Sequence, residues 1–558
     1  MIAYANSLTN GFVWDDRIIL TRQLVAFQSL GDVLLTPRDI PQYSPDYYRP
    51  VVIVSFLLDR AVGAGRPFAF HLSVVLAHGV VAALVCWYAL QLFGSAAGGL
   101  LGAIAAGAGF AVHPVHSESV AWTAGRSDVL ATGFLVAALI AHAAHHPPLR
   151  RALVLGALVL GALGAKETAV AVIPLALLFD VLVAGRRERR LSWWLERYAG
   201  IIVAGLVYAL LRRAALGSFA GEAPSDPTMA RSAADVLAAV AVYAGRLFWP
   251  VGLNAYIDSL PTSGFALAGT AVLLAGWMAL VAWLWRRGEG MAVYLLAWIA
   301  VTIAPSLAIV WKIPEAPVAE RYLYLPSVGF CLLLGWVAQR VVAAWPRSRV
   351  AVAGTIAVIV VAALVGTVSR NRVWHDDVSL WADTATKSRG SGFAFRNLGT
   401  AYQERGQREE AKQWFARALE RHNTRRGLQI TYNNLGTMAM QDQDFTAAER
   451  YYREALKANP SAADTLFNLA LAVLQGGGRT ADAARTAGDM LLQAEMLSPY
   501  DPDIQAALGQ TYAIRGDREH AIARLRRALE LGAQPATAES IRNFLGELER
   551  ESAVGSRQ

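Results

Sequence analysis

Cysteine is nearly missing: the chain has two in 558 residues, Cys86 and Cys331, each inside an apolar run. That excludes a disulfide framework and a cysteine-based metal site, and both thiols read as small packing residues. Charge is scarce as well. Asp, Glu, Lys and Arg make up 17% of the chain against 55% hydrophobic residues, too apolar for an ordinary soluble protein. The start, "MIAYANSLTNGF", has neither a basic region nor a long apolar core, so it is not a signal peptide and insertion falls to later segments. Lys and Arg outnumber Asp and Glu by 51 to 43, yet much of the excess sits in short loops, "GRRERR", "WRRGEG" and "WPRSRV". That pattern describes membrane topology and excludes a nucleic-acid site.

A bilayer core about 30 Å thick asks for roughly 20 apolar helical residues. Ten stretches answer, near 68–93, 97–113, 127–146, 149–165, 168–185, 195–213, 264–286, 291–311, 322–343 and 349–368. The segment 233–252, interrupted by Asp235, Arg246 and Pro250, reads as an interfacial or re-entrant helix. With "GRRERR" on the cytoplasmic side, alternation returns the other two basic loops to that side. It places residues 1–66, 113–127, 165–168, 213–264 and 370–558 outside. Arg212 and Arg213 break the rule and are expected to snorkel from a span end.

Beyond about residue 371 the chain turns polar and repeats itself. "NLGTAYQERG", "NLGTMAMQDQ", "NLALAVLQGG" and "ALGQTYAIRG" align on Leu398, Leu435, Leu469 and Leu508, at offsets of 37, 34 and 39. These bracket the tetratricopeptide period, and three of the four units keep a Leu-Gly pair. The third has Ala470 for glycine and an insertion at "GGGR". Four units with "ATAESIRNFLGELERE" as a cap suffice for a continuous core. The expected architecture is all-α: a polytopic transmembrane helical domain over 1–370, a linker helix over 371–392 and a solenoid over 393–550.

The polar residues of the membrane half gather on the outer side. They are Asp15 and Asp16 in "NGFVWDD", Arg49 in "YYRP", and His113, His116, Glu118, Arg126 and Asp128 in "HPVHSESVAWTAGRSD". Lys166 and Glu167 follow in "AKET", then Glu320 and Arg321 in "EAPVAERYLYLPS". An ionisable group at membrane depth costs roughly 2.5–3.5 kcal/mol on insertion scales, so a convergence of several implies acid–base chemistry beside an anion. Each also has a plain structural reading. The aspartate pair caps a helix or supplies a general base. The histidines and Glu118 have the spacing of metal ligands, of substrate hydrogen-bond partners, or of a loop that pairs with itself. Lys166 and Glu167 pair with each other or face a ligand, and Arg321 anchors an interface or meets a lipid phosphate. A second pair after a tryptophan, Asp376 and Asp377 in "VWHDDVSLW", is expected to start a helix packed on the solenoid and to carry no chemistry.

In their order along the chain, "YANSLTNGFVWDD", "YYRPVVIVSFLLD", "FHLSVVLAH", "HPVHSESVAWTAGRSDVL", "AKETAVAVIPLALLFD", "AERYLYLPSVG", "VWHDDVSLW" and the repeats resemble the transmembrane and TPR-containing O-mannosyltransferase-like proteins of the GT-C glycosyltransferase class. The resemblance implies a GT-C-like fold whose first outer loop carries the acidic pair. It implies a polyprenyl-phosphate-linked sugar, mannose by family likeness, as donor, and inverting transfer to a hydroxyl of a protein or peptide recruited by the repeats. By position, Asp15 or Asp16 would be the base, His116 and Glu118 would orient sugar or acceptor, and Lys166 and Arg321 would offset the donor phosphate. A divalent metal is not favoured, because such enzymes often need none for a monophosphate donor. Family members carry a span before the acidic loop, whereas this chain begins fourteen residues before Asp15, so its start is expected to be truncated. The expected setting is a bacterial inner membrane with catalytic loops and repeats on the periplasmic side. Rival readings are a non-enzymatic membrane-anchored scaffold and a transporter, the latter disfavoured by clean spans with charges at their ends.

Overall fold

Backbone polar groups in lipid must satisfy one another, so long apolar runs form helices. The computed structural model describes residues 1–36, 47–185, 190–218, 233–310, 318–421 and 423–555, and no strand occurs among them. The chain divides into two units, Met1–Ser388 and Arg389–Gln558.

In the first unit, eight helices among the described residues are long and apolar enough to cross a membrane. They are Pro67–Phe93, Thr123–Ala143, Pro148–Ala165, Leu191–Leu216, Gly264–Arg286, Gly290–Ala308, Glu320–Ala344 and Pro346–Trp374. Gly98–Val112 and Pro114–Val120 are long and apolar enough only when taken together, and they meet at 45°, where Pro114 has no N–H to continue the ladder. The stretch expected to span at 168–185 is helical without interruption over 167–183, passing from a 3-10 stretch, Glu167–Ala171, through an α-helix, Val172–Leu178, to a π-helical turn, Phe179–Val183. The π turn buries Asp180, whose carboxylate meets His142 Nε2 at 2.9 Å and Arg197 Nε at 2.6 Å. Residues 186–189 of "GRRERR" lie outside the described residues.

Helix Ala233–Phe248 is 16 residues long and buries Ala239, Tyr243 and Leu247 on one face. At 1.5 Å per residue it covers about 24 Å, short of a bilayer core. Pro50–Gly63 forms a helix where only an outer loop was expected, started by Pro50 in its first turn. Segment 371–392 also differs from expectation. Asp376 caps the helix Asp377–Lys387 by accepting the Ser379 N–H at 2.9 Å, and this helix packs in the first unit, with Trp381 against Trp14 at 5.2 Å.

Burial divides the spans by role. The apolar windows of Gly264–Arg286 and Pro346–Trp374 are only 6% buried, whereas that of Thr123–Ala143 is 72% buried. The first two present apolar side chains outward, as lipid-facing helices do; the third is central and brings Arg126 and Asp128 inside. Two spans touch backbone to backbone. A Cβ on Gly335 would meet the Gly102 carbonyl oxygen at 2.3 Å, and one on Gly102 would meet that of Gly335 at 2.4 Å. Small residues permit this approach where no hydrophobic force drives helices together.

The second unit is built of helix pairs: Gly392–Glu404 with Arg408–Leu419, Arg425–Gln441 with Phe445–Ala458, Ala463–Gly476 with Ala481–Leu497, and Pro502–Ile514 with Arg518–Glu530. Leu398, Leu435, Leu469 and Leu508 are all buried. Their glycine neighbours have a steric reason. A Cβ would meet Phe415 at 2.7 Å from Gly399, Tyr452 at 2.5 Å from Gly436 and Leu525 at 2.7 Å from Gly509. In the third unit Ala470 packs in one cluster with Ala484, Ala487 and Leu491 of the facing helix. Helix Pro535–Gly555 caps the stack, burying Ile541 and Leu548 with Leu525 and Ala528.

Gly335→Ala should lower the thermal midpoint of the purified protein in detergent by an amount equivalent to about 1–3 kcal/mol, because the methyl meets backbone. Gly354→Ala, where a Cβ meets nothing within 4 Å, should not lower it.

Candidate functional site

"NGFVWDD" follows a 3-10 helix, Ile2–Thr9, and turns sharply at Trp14, which sits at φ 55°. A left-handed backbone at a large non-glycine residue costs about 1–3 kcal/mol and persists only where neighbours enforce it. The turn separates the two aspartates. Asp16 is fully buried; its carboxylate accepts the Ala124 N–H at 2.7 Å and the Val13 N–H at 3.3 Å. Burial pushes it up to about 8, against those two hydrogen bonds. Asp15 is exposed and makes no side-chain capping bond to the short helix Asp16–Ile18. Its apolar surroundings lift it above the usual carboxylate range, and the charge of Arg321 draws it back down. The pair is therefore not a double cap.

Arg321 stands where the 3-10 turn Glu320–Leu323 enters the helix Tyr324–Ala344. Its guanidinium pairs with buried Glu118, and its backbone N–H donates to the other Glu118 oxygen at 3.0 Å. The guanidinium lies 5.4 Å from the Trp122 ring. Trp122 is stacked between Trp14, at 5.0 Å and 17°, and Trp374, at 5.9 Å and 20°. The residue before Asp15 thus leans on the ring that carries Arg321. Glu320 points elsewhere, accepting the Asn254 N–H at 2.6 Å with Arg246 and Arg370 each at 3.8 Å.

Lys166 and Glu167 do not pair with each other. Lys166 reaches both Asp128 oxygens, at 2.6 and 2.7 Å, in a buried bridge. Glu167 turns outward to Arg49 and Arg212, each at 3.2 Å. Arg212 therefore does not snorkel; it points into the site and is buried. Tyr322 joins these groups, with Lys166 Nζ and Arg321 Cζ each 5.0 Å from its ring centroid. At the rim, Arg49 covers exposed Tyr47 at 4.3 Å, and the charges of Arg49, Arg321 and Glu167 all act on that phenol.

Three expected ligand-binding residues face inward instead. His113 donates from Nε2 to the Leu247 carbonyl at 3.1 Å and accepts the Val115 N–H on Nδ1 at 3.3 Å. His116 is buried among Phe110, Tyr324 and His78 and shares a hydrogen bond with Ser327 at 2.7 Å. Arg126 is taken up by Asp59, by Ser55 at 3.2 Å and by the Phe70 carbonyl at 2.8 Å. Burial explains all three, since a polar group enclosed by apolar helices must find a protein partner. Among the described residues, no group of three or more His, Cys, Asp or Glu is placed to hold a metal ion.

Among the described residues, the groups that keep exposure here are Asp15, Tyr47, Arg49, Glu167 and Arg321: an exposed carboxylate in the field of Arg321, and cations whose side chains are 25% exposed for Arg49 and 22% for Arg321. Such a set accepts a proton and meets an anion. Tyr47, Trp122, Arg212 and Tyr322 were not anticipated. Only Arg212 left a signal, as the basic residue on the wrong side of the charge rule. Over 520 residues the chain is 28% identical to protein O-mannosyl-transferase Tmtc1 of Drosophila melanogaster, covering 74% of this chain and 59% of that one. The chain resembles protein O-mannosyl-transferases. It is also 23% identical over 587 residues to protein O-mannosyl-transferase Tmtc3 of Drosophila melanogaster, covering 87% and 62%, and 22% identical over 515 residues to human protein O-mannosyl-transferase TMTC3, covering 82% and 55%. The chain therefore spans 55% to 62% of the length of these relatives. A tetratricopeptide repeat model matches residues 390–461. Among solved structures, that of MamA is 19% identical and covers 29% of this chain and 89% of its own, with a TM-score of 0.25.

Asp16 gives a pH prediction. Its carboxyl is raised from 3.8 in the unfolded chain to about 8 in the fold, so the fold binds its proton more tightly. The stability this contributes is complete below the unfolded value and is lost as pH rises to about 8. The thermal midpoint of the wild type should fall from pH 5 to pH 8 more steeply than that of Asp16→Asn; equal slopes would refute the assignment.

Proposed function

We propose that the protein is a membrane glycosyltransferase that moves a sugar, mannose by likeness to its relatives, from a polyprenyl phosphate to a hydroxyl of a protein or peptide. Asp15 is the base. The observation that carries this reading is the contrast within the acidic pair: Asp16 is enclosed and doubly hydrogen-bonded, whereas Asp15 is exposed, is held beyond a strained turn and lies within the field of Arg321. The likeness to named O-mannosyl-transferases supports the same chemistry.

In this mechanism the acceptor hydroxyl gives its proton to Asp15 as its oxygen attacks the anomeric carbon. The bond from that carbon to the phosphate oxygen breaks on the opposite face, so configuration inverts. Arg321 and Arg49 take up the charge that grows on the departing phosphate, which is worth most where the donors are fixed beforehand. Glu118 and Glu167 hold these arginines in place. Lys166 is already engaged by Asp128 and acts through its field alone. The reading places the polar helix junctions on the outer side of the membrane, opposite the basic loops, with the repeats presenting the acceptor.

Asp15→Asn should lower transfer of labelled mannose from polyprenyl-phosphate-mannose about 10²–10⁴-fold at unchanged protein level. The acidic limb of the wild-type pH profile should lie above the usual carboxylate range, where a lifted Asp15 begins to hold its proton. Full activity in Asp15→Asn, or no transfer from any prenyl-linked sugar, would leave a membrane-anchored scaffold as the better account.

A further inference from the structure

The second tryptophan–aspartate motif, "VWHDDVSLW", lies against the first. We propose that Asp377 is a positioning residue for Asp15; this rests on Asp15 being the base. Its Oδ1 accepts the Trp14 N–H at 2.8 Å, and its Oδ2 meets the Arg17 guanidinium at 3.0 Å. One buried carboxylate thereby grips the backbone before Asp15 and the side chain after Asp16. The grip falls on the residue with the left-handed backbone, which needs restraint from outside its own turn.

The surrounding segment extends the same clamp. The Asn371 amide donates to the Ala3 carbonyl at 2.8 Å and to Asn6 Oδ1 at 3.0 Å, while the Asn6 amide donates to the Val368 carbonyl at 2.9 Å. The Gly11 N–H donates to the His375 carbonyl at 2.9 Å. Trp381, one helical turn beyond Asp377, closes on the edge of Trp14. Residues 368–381, the end of the span Pro346–Trp374 and the start of the helix that follows it, thus run along residues 3–17 and fix the acidic loop. Asp377 is not a second base, since both its oxygens are already taken by the loop.

The test combines Asp377→Ala, Asp377→Asn and Arg17→Gln, each alone and with Asp15→Asn. Two quantities are read on the same preparations: transfer of mannose from polyprenyl-phosphate-mannose, and deuterium exchange of the peptide covering residues 10–18. Asp377→Ala should speed exchange in that peptide and cut turnover roughly 10–100-fold at unchanged donor KM, as expected when a reacting group is displaced. Asp377→Asn keeps an oxygen for the Trp14 N–H and should recover most of the loss. In the Asp15→Asn background, Asp377→Ala should add nothing to the residual loss, because both changes remove one function.

Multiplicative losses, or unchanged exchange with full turnover, would overturn the proposal. If Asp377→Ala does not accumulate, Arg17→Gln decides, since its side chain is half exposed: it should loosen the peptide and lower turnover, and no change in either would overturn the clamp. Full activity in Asp15→Asn would refute the base assignment, while faster loop exchange in Asp377→Ala would still show the clamp.

Discussion

The bond between Arg321 and Glu118 organises the polar end of the first unit. A carboxylate as buried as Glu118 costs several kcal/mol unless an opposite charge and further hydrogen bonds answer it, and Arg321 supplies both from its side chain and its own N–H. Anchored in this way, the guanidinium must lie over Trp122, and Trp122 in turn gives Trp14 a face to stack on. The turn that exposes Asp15 is built on that stack. Losing Glu118 would therefore release the arginine from its partner beside this aromatic platform.

Ion pairs elsewhere at this end sort the charged groups by availability. Asp128 and Lys166 satisfy each other in the interior, as do Asp59 and Arg126. Glu167, by contrast, is shared by two arginines, Arg49 and Arg212. Charge bound for a leaving phosphate is most effective when another acid holds it in position without cancelling it.

Helix existence was legible in the sequence because apolar run length is a one-dimensional property. The repeats were legible for a similar reason: a leucine recurs, and its glycine neighbour records a side chain pressed against the paired helix, as Phe415 presses on Gly399. What sequence could not supply was partner choice. Lys166 stands beside Glu167 in the chain yet bonds Asp128, because the break at the end of Pro148–Ala165 turns adjacent side chains in different directions. His113 and His116 have ligand spacing, but the bent junction at Pro114 folds them inward. Hydropathy also gave no sign of the change from 3-10 to π geometry inside the helix over 167–183.

With Asp15 as the proposed base, the acidic pair gives adjacent, chemically identical residues different roles. A base must be reached by its substrate and must be ionised when it arrives. Asp16 meets neither condition, being enclosed and raised to about 8 by burial. Its oxygens are turned to the Val13 and Ala124 N–H groups, so it ties the loop to the junction that begins Thr123–Ala143. That tie is what allows Asp15 to be exposed and still be fixed. An exposed side chain on a loose loop would lose the orientation that proton abstraction needs, whereas one bracketed by a left-handed Trp14 and a buried Asp16 has little freedom left. The strain at Trp14 then has a physical purpose: it turns two consecutive carboxylates to opposite sides of the loop, one toward the protein and one toward the open site.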